Sequence, residues 1–320
     1  MKTFPYLFVI ATALLSSSCS KEIAPEENVS RSADLLKRTT ISSTIQFTET
    51  NLFPEGVVYD PFSKRFYVSS VTRGDIGIVS AEGDYTPFIT DALLTSTTGL
   101  EIDKARKRLY VANAPNGVGA YNIDSGERIF YTDLSGLIPG APLFINDIAL
   151  DPQGNLYVTN SFYPVIYKIS PDGEASVFFN EPALALPAGQ FGFNGIEYSN
   201  NGYLLVAYSS ANSILKIPVR KPEDYTTVNL NATLNGPDGL LLSNNGKSLT
   251  IVNNASGGEG MVMTFTSKNQ FESASLTSTF NTGSVFPTTA TSDGKKIFVL
   301  YAFLQRLGTG QSVFTIQQVP

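Results

Sequence analysis

The 320-residue sequence has no histidine, no tryptophan and a single cysteine, Cys19. Without histidine there can be no Ser-His-Asp triad, no Cys-His pair and no imidazole-bound zinc or copper. One cysteine allows no internal disulfide, and its place near the amino terminus leaves no thiolate in the body of the chain. Charge is also sparse: Asp, Glu, Lys and Arg make up 16% of residues, with a formal net charge of −6. That balance excludes nucleic acid as a partner, because displacing its counterions needs a basic surface. Hydrolytic chemistry in this chain must use carboxylates, Lys, Tyr, Ser or Thr, or a hard cation held by oxygen.

What is present points to a turn-rich globular protein. Apolar residues make up 42%, and 26 Gly and 18 Pro are spread along the chain. The length suits one large all-β domain or two ordinary ones. At the amino terminus, Lys2 is followed by an apolar run from Phe4 to Leu15 and then by Ser16-Ser17-Ser18-Cys19. A short basic region, an apolar stretch too short to span a bilayer and small residues before a cleavage point read as a secretory signal. Cys19 stands where a bacterial lipoprotein signal peptide places its lipidated residue, with Leu15 one place further away than usual. Ser20-Lys21-Glu22 resembles the signals that follow this cysteine in surface-exported lipoproteins. The expectation is a signal peptide over 1–18 and a lipidated cysteine with a flexible tether over 19–41. The protein would then be held in the bacterial cell envelope, at the outer membrane, by its lipid alone.

The rest of the chain repeats. Six segments share a short strand, a turn rich in Asp, Asn, Gly or Lys, and a β-rich strand ending in small or polar residues. They begin at Glu55, Thr98, Asn146, Asn194, Asp238 and Thr288, at spacings of 43, 48, 48, 44 and 50 residues. Units of this length with several short strands mark the blades of a propeller. Third strands such as Val165-Ile-Tyr-Lys-Ile and fourth strands such as Ala175-Ser-Val-Phe-Phe follow. The expected fold is all-β: a six-bladed β-propeller over 42–320, about four antiparallel strands per blade, burying one continuous core. Either 44–48 or 313–317 could supply the outer strand that closes the ring.

In a propeller the innermost strands line a channel, so the six initial residues point into its mouth. Glu55 and Asp238 bring two carboxylates there, and Asn146 and Asn194 two carboxamides. Four oxygen donors with two negative charges suit a hard divalent cation. Asn-Gly, Asp-Gly and Asn-Asp are also ordinary turn dipeptides; the recurrence at one register, with Glu55 included, favours a cage.

Pro54-Glu55-Gly56, Asn146-Asp147, Phe193-Asn194-Gly195 and Pro237-Asp238-Gly239 together resemble the gluconolactonase/regucalcin (senescence-marker-protein) family, in order and over nearly the whole domain. The resemblance implies a divalent cation, usually Ca2+ with Mg2+, Mn2+ or Zn2+ as alternatives, bound by Glu55, Asn194 and Asp238. Asn146 would add a ligand or contact substrate. It also implies hydrolysis of sugar lactones, with the cation polarising the carbonyl and Asp238 as general base. Paraoxonase-like lactonases, which rely on histidine, are excluded. Phe144 stands where the family's sugar lactonases often carry a substrate-binding arginine. Phe162-Tyr163 and Phe191-Gly192-Phe193 are aromatic too, so Thr98, Phe144 and Phe193 are expected to line a pocket for a more hydrophobic lactone or ester. The alternative is a non-catalytic surface propeller that binds a glycan or protein partner around a structural Ca2+.

Overall fold

A computed structural model describes residues 41–320; the expected signal peptide, Cys19 and the tether up to residue 40 lie outside the described residues. The strand β1 (Thr44–Thr48) precedes the first blade, which comprises β2 (Val57–Asp60), β3 (Arg65–Val68), β4 (Ile76–Val79) and β5 (Tyr85–Ile89). The second contains β6 (Thr97–Asp103), β7 (Arg108–Asn113), β8 (Gly117–Asn122) and β9 (Arg128–Asp133). The third contains β10 (Ile145–Leu150), β11 (Leu156–Asn160), β12 (Val165–Ile169) and β13 (Ala175–Asn180). The fourth is β14 (Phe193–Ser199), β15 (Tyr203–Tyr208), β16 (Ser213–Pro218) and the two-residue β17 (Thr226–Thr227). A short β18 (Asn229–Leu230) joins the fifth blade, β19 (Pro237–Leu242), β20 (Ser248–Asn253), β21 (Gly260–Thr266) and β22 (Ser273–Gly283), by parallel pairing with β22. The sixth contains β23 (Pro287–Ser292), β24 (Ile297–Tyr301) and β25 (Val313–Val319). Apart from the β18–β22 pair all strand pairing within the blades is antiparallel, and the six sheets together form the expected propeller.

Ring closure, open from sequence, is settled by pairing. β25 is the third strand of the sixth blade, and β1 is its outer strand, with Phe47 opposite Phe314 and Thr44 opposite Gln317. Ile45 and Phe47 carry the closure energetically, since both are buried. Each such side chain contributes about 1.5–3 kcal/mol by leaving water.

The core differs from the single mass expected. It consists of six apolar clusters, one between each pair of neighbouring blades. Strand alternation is the cause, because successive side chains leave a strand on opposite faces. Along β7, Leu109 and Val111 enter the cluster shared with the first blade, whereas Tyr110 and Ala112 enter the one shared with the third. Both faces of every blade are therefore apolar, which explains the near-continuous hydrophobic runs of the second strands. Among the described residues no helix is long and apolar enough to cross a membrane.

Candidate metal centre

Inner strands are sheet edges, so their backbone groups face the channel without ladder partners. This fold satisfies several of them from the neighbouring blade. Thr98 Oγ1 donates to Ile145 O (3.0 Å), Thr159 Oγ1 to Asn194 O (2.8 Å) and Thr288 Oγ1 to Glu55 O (2.7 Å). Asp147 accepts from Ile196 N (3.1 Å), and Glu197 from Leu242 N (3.0 Å). Thr98 and Thr288 are thus blade-to-blade stitches. Thr98 is fully buried with its hydroxyl spent on a carbonyl, which corrects the expectation that it lines a substrate pocket.

The predicted ligands do not stand in turns. In five inner strands the pairing with the second strand shifts register across two residues: between Thr97 and Leu100, Ile145 and Ile148, Phe193 and Ile196, Pro237 and Leu240, and Pro287 and Ala290. The skipped residues include Thr98, Asn146, Asn194, Asp238 and Thr288. A bulge bends a strand and re-aims a side chain, and here it does so at one level of the ring. The glycine after several of these residues admits the neighbouring strand. A Cβ at Gly195 would lie 2.4 Å from Asp238 O, and one at Gly239 2.5 Å from Thr289 Cα. Asn194-Gly195 and Asp238-Gly239 are therefore close-packed bulges.

Glu55, Asn146, Asn194 and Asp238 are all buried at this level. A void of about 20 Å3 is lined by Glu55, Asn146, Asn194 and Asp147, room for one ion or water. A second tier of side chains orients the ring. Asn146 Nδ2 donates to Ser161 Oγ (2.9 Å), Asn194 Nδ2 to Ser209 Oγ (3.2 Å), and Asn254 Nδ2 to Asp238 Oδ2 (2.7 Å). Ser161 and Ser209 in turn donate to Phe193 O (2.6 Å) and Pro237 O (2.5 Å). Each orienting residue stands just after the second strand of its own blade. Sequence reading missed Ser161, Ser209 and Asn254, although the small or polar residues ending each second strand were their signal.

The electrostatics are those of an acidic cage without a basic partner. Burial, then Asp238 and Asp147, raise the Glu55 carboxyl well above its usual range. Burial and then Asp147 raise the Asp238 carboxyl, hydrogen bonds from Asn254 and Asn194 oppose the shift, and the balance leaves it at about 7. Asn146 Oδ1 is buried with no hydrogen-bond donor. Its carboxamide nitrogen is already committed to Ser161, so this oxygen is left as a free acceptor. Among the described residues no three Asp, Glu, His or Cys side chains gather at metal-binding distance. The donor set is therefore two carboxylates with two carboxamides. The uncompensated Glu55 carboxylate and the orphaned Asn146 Oδ1 on an ion-sized void, with Asp238 buried at the same level, fit a hard divalent cation.

Other predicted residues divide. Phe193 is fully buried between the third and fourth blades, its ring against Phe179 (6.0 Å) and Tyr208 (5.6 Å), at the floor of a narrow cleft beside Phe162. Strand alternation separates it from its neighbour Asn194, which faces the cage. Phe144 stands at the cage end of β10 with its ring against Phe162 and Phe191. A cavity of about 670 Å3 lies at the opposite mouth among turns such as 103–106, 151–152 and 293–295. Glu101 and Glu197 line it, the first raised to about 8 by burial and Asp147, the second raised by burial and Glu101. Asp147 reaches both spaces, and burial lifts its carboxyl to about 6. It was read only as part of a motif, and its position beneath the cage was not legible.

Solved structures with this fold include the major allergen Mala s 1 of Malassezia sympodialis, with TM-score 0.72 at 19% identity, covering 88% of this chain and 97% of that one. A gluconolactonase of Xanthomonas campestris superposes with TM-score 0.61 at 14% identity, covering 86% and 89%. A luciferin-regenerating enzyme gives 0.60 at 13% identity, covering 86% and 95%. No curated protein sequence matches the chain. Residues 53–296, which hold all four cage residues, match the family described as the SMP-30/Gluconolactonase/LRE-like region. The chain belongs to that family.

Proposed function

We propose that the protein is a metal-dependent hydrolase of the lactonase type, with its reacting centre at the Glu55–Asn146–Asn194–Asp238 cage. The observation that carries this reading is the orphaned Asn146 Oδ1 beside two buried carboxylates that no Lys or Arg neutralises. A bound divalent cation, Ca2+ by preference, would supply Lewis-acid polarisation of a lactone carbonyl and activation of water. Glu55, Asn194 and Asp238 would hold it with Asn146, and Ser161, Ser209 and Asn254 keep these groups in place. Asp238 takes the proton of the attacking water as its oxygen bonds to the carbonyl carbon. As the ring C–O bond breaks, Asp238 returns that proton to the leaving alkoxide, giving the hydroxy acid. No histidine is needed, in keeping with the composition.

One observation favours a second reading. The cage draws on the first, third, fourth and fifth blades, so a cation there would also tie the ring together, as in a propeller that binds a glycan or protein. The two readings separate in one experiment: a lactone and ester panel assayed with calcium and with chelator, using the native chain and Asp238→Asn. Calcium-dependent turnover that Asp238→Asn abolishes supports the hydrolase. Turnover unaffected by the substitution would sink the mechanism, and calcium binding without turnover would move the cation to the structural role. We also propose export and lipid attachment at Cys19, with the propeller held at the outer membrane of the cell envelope by that lipid alone.

A further inference from the structure

Three phenylalanines from three separate connections meet at the cage end of the third and fourth blades. Phe144 precedes β10, Phe162 follows β11 and Phe191 precedes β14. Their rings form a closed triangle, with centroids 5.1 Å apart for Phe144–Phe162, 5.0 Å for Phe144–Phe191 and 5.2 Å for Phe162–Phe191. They are not core residues: Phe144 and Phe162 are half-buried and Phe191 is 38% exposed.

The triangle is rigidly built. The side-chain oxygen of the buried Asn160 accepts from both Phe144 N (2.8 Å) and Phe162 N (3.1 Å). Ser161 N donates to Phe144 O (2.8 Å), Gly192 N to Ser161 O (2.7 Å) and Ser210 N to Phe191 O (3.0 Å). Ser161 is also the residue that orients Asn146, so one short stretch of backbone fixes both the aromatic triangle and a cage ligand. A narrow cleft continues from Phe162 past Ser161, Leu186 and Gln190, and no charged side chain lines it. Preorganised apolar surface beside a polar reacting centre is the usual anatomy of a small-molecule site.

We infer that the Phe144–Phe162–Phe191 triangle is the subsite for the apolar arm of the substrate, an alkyl or aryl substituent on a neutral lactone. The inference rests on the reading of the cage as the reacting centre. A lactone whose carbonyl oxygen faces the cage places its ring substituent over the adjacent loops, where these rings would take it out of water. A sugar lactone would bring its hydroxyl groups against three aromatic rings and a cleft without charge.

The test is a series of γ-lactones with side chains from none to six carbons, with glucono-δ-lactone for comparison, assayed on the calcium-loaded full chain. Burial of each methylene against the rings is expected to raise kcat/KM about fourfold over the first few carbons. Phe191→Ala, at the exposed corner of the triangle, should flatten that dependence. Calorimetry with the alkyl-substituted γ-lactams, which resist hydrolysis, supplies a readout independent of turnover. Turnover of gluconolactone with no gain along the alkyl series would overturn the subsite and leave the lactonase reading standing. Phe191-dependent binding of alkyl lactams without turnover of any lactone would keep the subsite and remove the hydrolase. Neither lactam binding nor turnover of any lactone would end both.

Discussion

Asp238→Asn should make the cation-free protein more stable and the calcium-loaded protein comparatively less so. Asp238 is 4% exposed, and burial raises its carboxyl from 3.8 to about 7. The folded chain thus keeps a proton that the unfolded chain has released. Stability of the cation-free protein therefore falls as pH rises from about 4, and the loss is complete above about 7. At about 1.4 kcal/mol per unit, its ceiling is on the order of 4 kcal/mol. Asparagine removes this titration and keeps an oxygen for Asn254 Nδ2 to reach. In chelator the variant should match the native chain near pH 4 and unfold several degrees higher at pH 8, because ~1 kcal/mol moves Tm by about 2–4 °C in a domain of this size. Calcium at a hundred times its Kd should add about 2.7 kcal/mol to the native chain alone. Thermal unfolding followed by circular dichroism across pH, with chelator and with calcium, reads both signs. A variant no more stable than the native chain at pH 8 in chelator would refute the reasoning, since Asp238 would then bear no uncompensated charge.

Other substitutions probe what surrounds the cage. Ser161→Ala removes the acceptor for Asn146 Nδ2 and should weaken calcium binding about 10- to 100-fold by calorimetric titration; unchanged affinity would deny Ser161 its orienting role. In Gly195→Ala the new Cβ would press on Asp238 O, forcing the inner strands of the fourth and fifth blades apart. A loss of about 1–3 kcal/mol is expected, with weaker calcium binding, and a variant with native Tm and affinity would show that the close approach is not required. Cys19→Ala should leave the precursor unlabelled by a fatty-acid probe; retained label would remove the anchor.

Much of the fold was legible because strand alternation and blade spacing are local features. Leu109-Tyr110-Val111-Ala112 already shows a strand buried on both faces, and the run from Glu55 to Thr288 counts six blades. The closing strand could not be chosen from sequence. Thr44–Thr48 and Val313–Val319 are both amphipathic, and they turn out to be partners in one blade. The register of Glu55, Asn146, Asn194 and Asp238 was legible as a recurrence. That the dipeptides of Asn146, Asn194 and Asp238 form bulges was not, because the same Asn-Gly serves turns and bulges and only the neighbouring strand decides between them. Asp147 and Glu197 satisfy backbone donors from the next blade, a relation that no spacing along the chain reveals.

The central claim is that the oxygen donors of Glu55, Asn146, Asn194 and Asp238 hold a divalent cation, and calorimetric titration of the full chain with calcium tests it most directly. The account predicts one site per chain, with proton release at neutral pH and binding abolished by Glu55→Gln and by Asp238→Asn. Absence of binding, or binding that both substitutions leave intact, would contradict it.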